Sequence, residues 1–246
     1  MKRLILVAIA IVILASGAAY AGSETHWGYS GQNGPEHWGE LSPEFTTCST
    51  GQNQSPINLA GLVEADLEPL EINYQVGGKD SLNNGHTVYV NFASGSKISV
   101  DGHEFELKQY HFHTPSENQI NGKSYPMEAH LVHADKDGNL AVIAVMFIEG
   151  KANKSLAQAL THVPEKVGDK YSLSSSVTAE GILPPNRDYY RFNGSLTTPP
   201  CSEGVWWLVM KEPVTASKAQ IEKLAHVMHR PNNRPVQAVN ARPVLQ

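Results

Sequence analysis

Three histidines on two strand-like segments offer the ligands of a metal site. His111 and His113 lie one residue apart in the segment 109–113, and His130 lies in the segment 128–133. Residues i and i+2 of a strand project to the same face, about 6.6 Å apart at roughly 3.3 Å per residue. A neighbouring strand about 4.8 Å away can add His130. Three neutral imidazoles without a fourth protein ligand are typical of a catalytic zinc site, which keeps one position open for water.

The residues before His111 predict which face of the strand carries the pair. From residue 104 charged and uncharged side chains alternate, with Glu104, Glu106 and Lys108 on one side and Phe105, Leu107 and Gln109 on the other. The charged side must face water, so the odd-numbered side should face inward. The same alternation continued to residue 113 predicts that His111 and His113 share the inward face with Phe105 and Leu107.

Two polar residues stand where they could orient the ligands. Gln109 lies two residues before His111, and Glu128 lies two residues before His130, so each shares a face with its histidine. A ligating imidazole needs an acceptor on its second nitrogen to fix its tautomer and orientation. An ordinary ion pair is the alternative for Glu128, but a carboxylate inside an apolar strand is costly without a partner.

The chain reads as a β protein without an internal boundary. Strand-like segments occur at 70–74, 87–92, 97–100, 109–113, 127–133 and 140–148, and several are separated by Asn-Gly or Asp-Gly pairs. The segment 140–148 is apolar on both faces, as expected of a central, doubly covered strand. Helical periodicity is confined to apolar stripes at 156–163 and 221–228. We therefore predict a mainly β, single-domain fold with a large twisted, mostly antiparallel central sheet and a few short peripheral helices.

The first 21 residues have the layout of a secretory signal peptide. Lys2 and Arg3 precede the 11-residue apolar run 4–14, and small residues lead to a cleavage point after Ala21. A run of that length is too short to cross a bilayer, so a membrane anchor is the weaker alternative. We expect residues 1–21 to be removed and residues 22–246 to form one exported catalytic domain, periplasmic or secreted.

Charge excludes some partners of the mature chain. Removal of Lys2 and Arg3 leaves 17 basic residues against 24 acidic ones, which gives a net charge of about −7 (17 − 24). No basic run of any length occurs. This balance argues against binding to nucleic acid and, after signal cleavage, against association with anionic membranes.

Cys48 and Cys201 are the two cysteines of the chain. Both would enter a compartment in which disulfides persist, so a bridge is the simple interpretation. Two buried free thiols are the alternative.

Several motifs together resemble the α-class carbonic anhydrases, particularly their secreted bacterial branch. The motifs are HFHTPSE at 111–117, EAHLVH at 128–133, SLTTPPC at 195–201, QNQSPIN at 52–58, NNGH at 83–86 and NNRPVQ at 232–237. They match in order and spacing across nearly the whole mature chain. The resemblance implies reversible hydration of carbon dioxide to bicarbonate and a proton by zinc-bound hydroxide, with weak esterase activity as a side reaction.

The resemblance also implies a role for individual residues. His111, His113 and His130 match the ligands of one Zn²⁺ ion per chain, with Gln109 and Glu128 as their outer acceptors. Thr197 and Glu117 match the residues that orient the hydroxide, and Thr198 matches a substrate and solvent contact. The carbon dioxide pocket is matched by Val132, Val142, Leu196, Val205 and Trp207. His86 matches the proton shuttle, with Tyr29 and Asn84 along the water path, and Cys48 with Cys201 matches a disulfide.

The same resemblance implies sulfonamides and inorganic anions as inhibitors. Homodimers are common in the bacterial branch, so a homodimer is an alternative to a monomer. One departure from the family pattern is visible, because Asn118 stands where many relatives carry histidine. We therefore expect a different hydrogen-bond network near Glu128.

Two other functions compete with this interpretation. The spacing of His111, His113 and Glu117 also fits the first metal motif of cupins, in which Glu117 would bind iron or manganese directly. The second cupin motif is missing, because His130 follows too soon and no asparagine stands four residues after it. The other competitor is a non-catalytic, carbonic-anhydrase-like binding module.

Overall fold

The computed structural model describes residues 25–75, 77–174, 176–229 and 231–246. The predicted signal peptide, residues 1–21, lies outside the described residues. Within these ranges, no helix is both long and apolar enough to cross a membrane.

The described chain is built from short strands and a few short helices. The strands are β1 (Asn58–Leu59), β2 (Glu71–Asn73), β3 (Gly78–Asn83), β4 (Val88–Phe92), β5 (Lys97–Val100), β6 (His103–His113), β7 (Gln119–Ile120), β8 (Met127–Ala134), β9 (Leu140–Glu149), β10 (Lys170–Ser172), β11 (Tyr189–Ser195), β12 (Glu203–Met210) and β13 (Val214–Ala216). The helices are α1 (Trp38–Leu41), α2 (Thr47–Thr50), α3 (Lys154–Ala159) and α4 (Lys218–Met228), with 3₁₀ turns at Gly31–Asn33, Pro43–Phe45 and Glu180–Ile182.

In the described part of the chain, eleven strands form one sheet. Its main path runs β10-β3-β4-β6-β8-β9-β12-β11, while β5 joins β6 to β2, and β13 pairs with β9. The pairs are antiparallel except for β9 with β12 and β9 with β13, which are parallel. The predicted mainly β fold with a large, mostly antiparallel sheet is confirmed.

Apolar side chains cover both faces of the central strand β9. Ile143, Val145 and Phe147 point into the larger core cluster, whereas Val142 and Met146 point into a second cluster on the opposite face. Successive residues of a strand alternate between faces, so an apolar run of this length requires both faces to be covered. The predicted ligand His130 lies opposite Ala144, which belongs to the second cluster, so we call this face the metal-site face.

A β-bulge overturns the predicted face of the histidine pair. Leu107 lies opposite His133 and Gln109 lies opposite Val132, so Lys108 is an extra residue in β6. Phe105 and Leu107 before the bulge and Tyr110 and Phe112 after it all belong to the larger cluster. His111 and His113 therefore lie on the face opposite Phe105 and Leu107. The simple alternation was wrong because one inserted residue exchanges the two faces of a strand.

Most predicted elements are present, although the sequence patterns missed two strands of the metal-site face. The strand predicted at 97–100 has those bounds, and the segments at 87–92, 127–133 and 140–148 begin or end within one residue of β4, β8 and β9. The strands β11 and β12 were not predicted, and β12 carries Trp207. Helix α4 begins with a capping box, in which Ser217 and Gln220 exchange hydrogen bonds.

Candidate metal centre

The pairing of β6 with β8 brings the three histidines together. His111 lies directly opposite His130, and His113 follows two residues later on the same face. One nitrogen from each of the three rings lies within 4.8 Å of the others. His113 and His130 are buried, whereas His111 is partly exposed to the cavity above it. Among the described residues, this is the cluster of side chains that could hold a metal ion.

The second nitrogen of each ring is bound to an oxygen. His111 Nδ1 lies 2.9 Å from Gln109 Oε1, and His130 Nε2 lies 2.9 Å from Glu128 Oε1. His113 Nδ1 lies 2.7 Å from the main-chain oxygen of Asn232. Oxygens of an amide, a carboxylate and a carbonyl only accept hydrogen bonds, so each of these nitrogens carries the proton. The lone pairs are therefore left on Nε2 of His111 and His113 and on Nδ1 of His130.

Burial keeps the three rings neutral. It lowers the pKa of His111 well below the usual value, and proximity to His113 and His130 adds to the effect. Burial likewise lowers the pKa of His113, against the opposing effect of the Asn232 carbonyl, and lowers that of His130 well below the usual value. Neutral imidazoles are the form that binds Zn²⁺.

The arrangement fits a cation at this position. Nε2 of His113 is buried and has no hydrogen-bond partner among the described residues. An unpaired buried nitrogen is costly, and coordination of an ion would satisfy it. Three neutral nitrogen donors with fixed tautomers match the donor set of a zinc site that keeps one coordination position for solvent. The Asn232 carbonyl was not found from the sequence, because a main-chain acceptor leaves no mark on residue type.

Glu128 supports this centre through a network that includes Asn118. The buried Glu128 carboxylate accepts hydrogen bonds from the main-chain N–H of Glu117 (2.7 Å) and of Asn118 (2.8 Å), and from the Asn118 side-chain amide (2.7 Å). Asn118 Oδ1 in turn accepts from the main-chain N–H of Ile57 at 3.1 Å. Burial raises the pKa of Glu128, and the hydrogen bonds from Asn118 oppose this rise. Asn118 thus fixes the carboxylate that holds His130.

Glu117 lies beside the histidine cluster. Its Oε2 is 3.4 Å from Nε2 of His113 and 3.9 Å from Nδ1 of His130, whereas its Oε1 accepts a hydrogen bond from the main-chain N–H of Arg234 at 2.8 Å. Burial raises the pKa of Glu117 well above its usual value, and hydrogen bonds from Arg234 and the Thr197 side chain oppose this shift. The carboxylate therefore lies close to two of the three ligand nitrogens, although Glu117 is not one of the three residues whose ligand atoms converge.

Arg234 is a further residue of the site that the sequence patterns missed. Its guanidinium is buried and donates to the main-chain oxygens of Cys48 and Ser55 and to Gln54 Oε1, at 2.8–2.9 Å. Cys48 forms the predicted disulfide with Cys201, which confirms the bridge. The Arg234 contacts join the disulfide region to the segment that holds Glu117.

A cavity of about 210 Å³ opens above the histidines. Its apolar wall contains Val132, Val142, Leu196 and Trp207, and its polar residues include Thr197 and Thr198. Val205 lies in the same apolar cluster as Val142 and Trp207 but does not line the cavity. The site therefore combines a place for an apolar molecule with hydrogen-bonding groups near the metal position.

The far side of the cavity carries His86 and three aromatic residues. The His86 ring stacks on Trp27 at 3.6 Å between ring centroids and 5° between planes, and Tyr29 approaches it edge-on at 6.4 Å. Asn84 Oδ1 accepts hydrogen bonds from the main-chain N–H of His86 and Thr87, at 3.0 and 2.9 Å. Asn84 Nδ2 donates to the Tyr89 hydroxyl at 3.4 Å. The sequence patterns did not indicate that Trp27 lies beside His86, because no periodicity links the two residues.

The sequence model of the eukaryotic-type carbonic anhydrases matches residues 33–246. The chain belongs to this family. It is 48% identical to a carbonic anhydrase of Pectobacterium atrosepticum over 237 residues, 96% of this chain and 97% of the relative. It is 46% identical to a carbonic anhydrase of Neisseria gonorrhoeae over 241 residues, 96% of this chain and 95% of the relative.

Solved structures show the same likeness. An α-carbonic anhydrase from Thermovibrio ammonificans in complex with the inhibitor sulfanilamide is 53% identical, with a TM-score of 0.88 over 90% of this chain and 99% of that one. A dioscorin complexed with ascorbate is 33% identical, with a TM-score of 0.83 over 89% of this chain and 97% of that one. The chain is thus a carbonic anhydrase by family and by fold.

Proposed function

We propose that this chain catalyses the reversible hydration of carbon dioxide to bicarbonate and a proton, with one Zn²⁺ ion held by His111, His113 and His130. The observation that carries the proposal is the convergence of three neutral imidazoles, each tied through its other nitrogen, at the base of a cavity with one apolar wall. When bound, zinc lowers the pKa of a coordinated water to about 7 and so supplies a nucleophile at neutral pH.

Thr197 and Glu117 would select and orient the attacking group. The ionised form of Glu117 would be favoured by a cation held beside its Oε2, against the effect of burial. An ionised Glu117 would accept a hydrogen bond from the Thr197 hydroxyl, so the Thr197 oxygen would be left to accept a hydrogen bond itself. A group that approaches Thr197 must therefore donate a hydrogen bond. This arrangement would hold an attacking oxygen with its lone pair directed towards the substrate.

The apolar wall would hold carbon dioxide. Val132, Val142 and Leu196 offer no hydrogen bond, so a small neutral molecule can occupy this side without loss of polar contacts. Val205 lies in the apolar cluster that supports this wall. Thr198 lines the same cavity and would contact substrate and solvent.

His86 would carry the product proton out of the cavity. Imidazole gains and loses a proton near neutral pH, which suits a group that exchanges protons with buffer. His86 lies on the cavity wall beside Tyr29 and Asn84, which would order the water between it and the metal position. The same nucleophile would also support weak hydrolysis of activated esters.

Export and inhibitor binding belong to the same proposal. The Cys48–Cys201 disulfide supports an oxidising location, periplasmic or secreted, and residues 22–246 as one exported domain after removal of residues 1–21. Sulfonamides should bind, since two similar structures are complexes with sulfanilamide and acetazolamide. The homodimer stays a prediction.

Metal analysis together with stopped-flow hydration of carbon dioxide tests the proposal. We expect one zinc per chain, hydration that disappears after chelation and returns with added Zn²⁺, and inhibition by acetazolamide. Iron or manganese in place of zinc would favour a cupin-type reaction, and a zinc-loaded chain without hydration activity would favour a binding module.

A further inference from the structure

The loop that carries His86 lines two cavities. One is the active-site cavity described above, and the other has a volume of about 270 Å³ and shares His86 and Thr87 with the first. The second cavity is lined by residues 83 and 85–87 of the loop, by residues 165–167 and by residues 227–229 at the end of α4. His86 lines both cavities and is the ionisable residue that the two linings share.

On the active-site side, His86 is closely packed. Trp27 covers one face of its ring at 3.6 Å, and Tyr29 lies across its edge. The main chain is also held, because the His86 N–H donates to Asn84 Oδ1 at 3.0 Å and the His86 carbonyl accepts from Asn232 Nδ2 at 3.1 Å. Trp27 blocks the approach of a buffer molecule to one face of the ring, so a second exit for the proton has a physical advantage.

The second cavity can hold water, and a second histidine lines it. At about 30 Å³ for each water molecule in the liquid, its volume accommodates several waters. The ionisable side chains that line it, besides His86, belong to Glu165, Lys166 and His229. His229 is exposed to solvent and ends α4 with a left-handed backbone (φ 58°). Among these side-chain types, imidazole is the one that both takes up and releases a proton near neutral pH.

We propose that His229 is a second proton-transfer station, which takes the proton from His86 through water in the second cavity and gives it to buffer at the surface. One N–H bond breaks on the His86 imidazolium as the nearest water is protonated, and one forms on His229 after transfer along the water chain. A buffer base then removes that proton, so both rings return to the neutral state. This inference rests on the proposed hydration activity and concerns only the step after proton transfer to His86.

The test compares His229→Gln with His226→Gln. The two rings lie on the same helix end, 6.1 Å apart, and both residues are exposed, but His226 does not line the second cavity. The control therefore removes an imidazole from nearly the same place. In dilute buffer we expect His229→Gln to lower kcat on the order of threefold, while kcat/KM for carbon dioxide and kcat in concentrated buffer stay unchanged. We expect His226→Gln to behave like the wild type.

Two further variants keep the test decisive. Val167→Trp should fill part of the second cavity and produce the same loss in dilute buffer while His229 is intact, because Val167 lines that cavity and is itself exposed. In the double variant His86→Ala/His229→Gln, the loss should equal that of His86→Ala alone, since the two stations act in series.

Equal turnover of His229→Gln and His226→Gln in dilute buffer would overturn the inference, as would additive losses in the double variant. A wild-type chain without hydration activity would contradict the proposed function itself. Loss of dilute-buffer turnover in His86→Ala with none in His229→Gln would leave the proposed function standing and remove only the second station.

Discussion

His133 should make the protein less stable in mild acid, and the structure sets the size of the effect. The side chain is fully buried on the face opposite the metal site, with Nε2 2.7 Å from the Tyr74 hydroxyl and Nδ1 3.3 Å from the Ala141 carbonyl. A carbonyl can only accept, so Nδ1 carries the proton and Nε2 accepts from Tyr74. Burial raises the pKa of Tyr74 well above its usual value, so its hydroxyl stays a donor. A protonated Nε2 could no longer accept this hydrogen bond, and the ring would carry a buried charge with no carboxylate among its hydrogen-bond partners Tyr74 and Ala141 in the described part of the chain.

The sign follows from the two pKa values of His133. Burial lowers its pKa from 6.5 to about 3, so the unfolded chain binds more protons than the folded chain between these values. Stability is therefore unaffected by this group above about pH 6.5, falls as the pH decreases, and levels off below about pH 3. At pH 5 the loss relative to neutral pH should be about 2 kcal/mol, with a slope that approaches 1.4 kcal/mol per pH unit.

Denaturant unfolding of the wild type and of His133→Gln between pH 4 and pH 8 measures this contribution. Glutamine does not titrate but keeps an acceptor for Tyr74. The variant should therefore be less stable than the wild type at neutral pH, but it should lose less stability than the wild type when the pH is lowered. The difference in slope between the two proteins isolates His133, because acid effects at other groups, including the three metal-site histidines, are common to both. His162→Gln is the matched control, since His162 is exposed, and it should keep the wild-type slope. Parallel pH profiles for wild type and His133→Gln would refute the reasoning.

The other predictions concern the metal centre and the bridge. His111→Ala should lose zinc and hydration activity together, which metal analysis and stopped-flow kinetics will show; an active, zinc-loaded variant would remove His111 from the ligand set. His86→Ala should retain zinc and lose turnover in dilute buffer, with recovery on addition of imidazole, and unchanged turnover there would reject the shuttle role. Glu117→Gln should bind zinc yet lower kcat by about 100-fold or more. The glutamine amide can donate a hydrogen bond to the Thr197 oxygen, which is then no longer held as an acceptor for the attacking group. A near-normal kcat would contradict this. The double variant Cys48→Ser/Cys201→Ser should have a free energy of unfolding lower by up to about 5 kcal/mol, because the bridge spans 153 residues. Equal unfolding midpoints for the wild type and the double variant would show that the bridge adds no stability.

Asn118 shows how a departure from the family pattern can be accommodated. Its side chain reaches Glu128 with the amide nitrogen and Ile57 with the amide oxygen, so both ends are used. The amide is neutral at any pH, unlike a histidine at the same position. The support of Glu128 by this residue therefore does not change with protonation.

Residue type and spacing alone determined much of this site. The sequence alone predicted an i, i+2 histidine pair, a third histidine on a nearby strand, and a polar residue two positions before two of the three ligands. These features could be predicted because strand periodicity is local. Gln109 and Glu128 make the hydrogen bonds to His111 and His130 that this spacing predicts.

Other features of the site were decided only by the tertiary structure, because they depend on contacts between distant segments. The bulge at Lys108 reverses the faces of β6, and its position is set by pairing with β8 rather than by any residue before it. The Asn232 carbonyl reaches His113 across 119 residues of sequence, and Arg234 joins Glu117 to the region of the disulfide. Main-chain acceptors and strand register carry no signature in residue type, so folding had to bring these groups together before their roles could be seen.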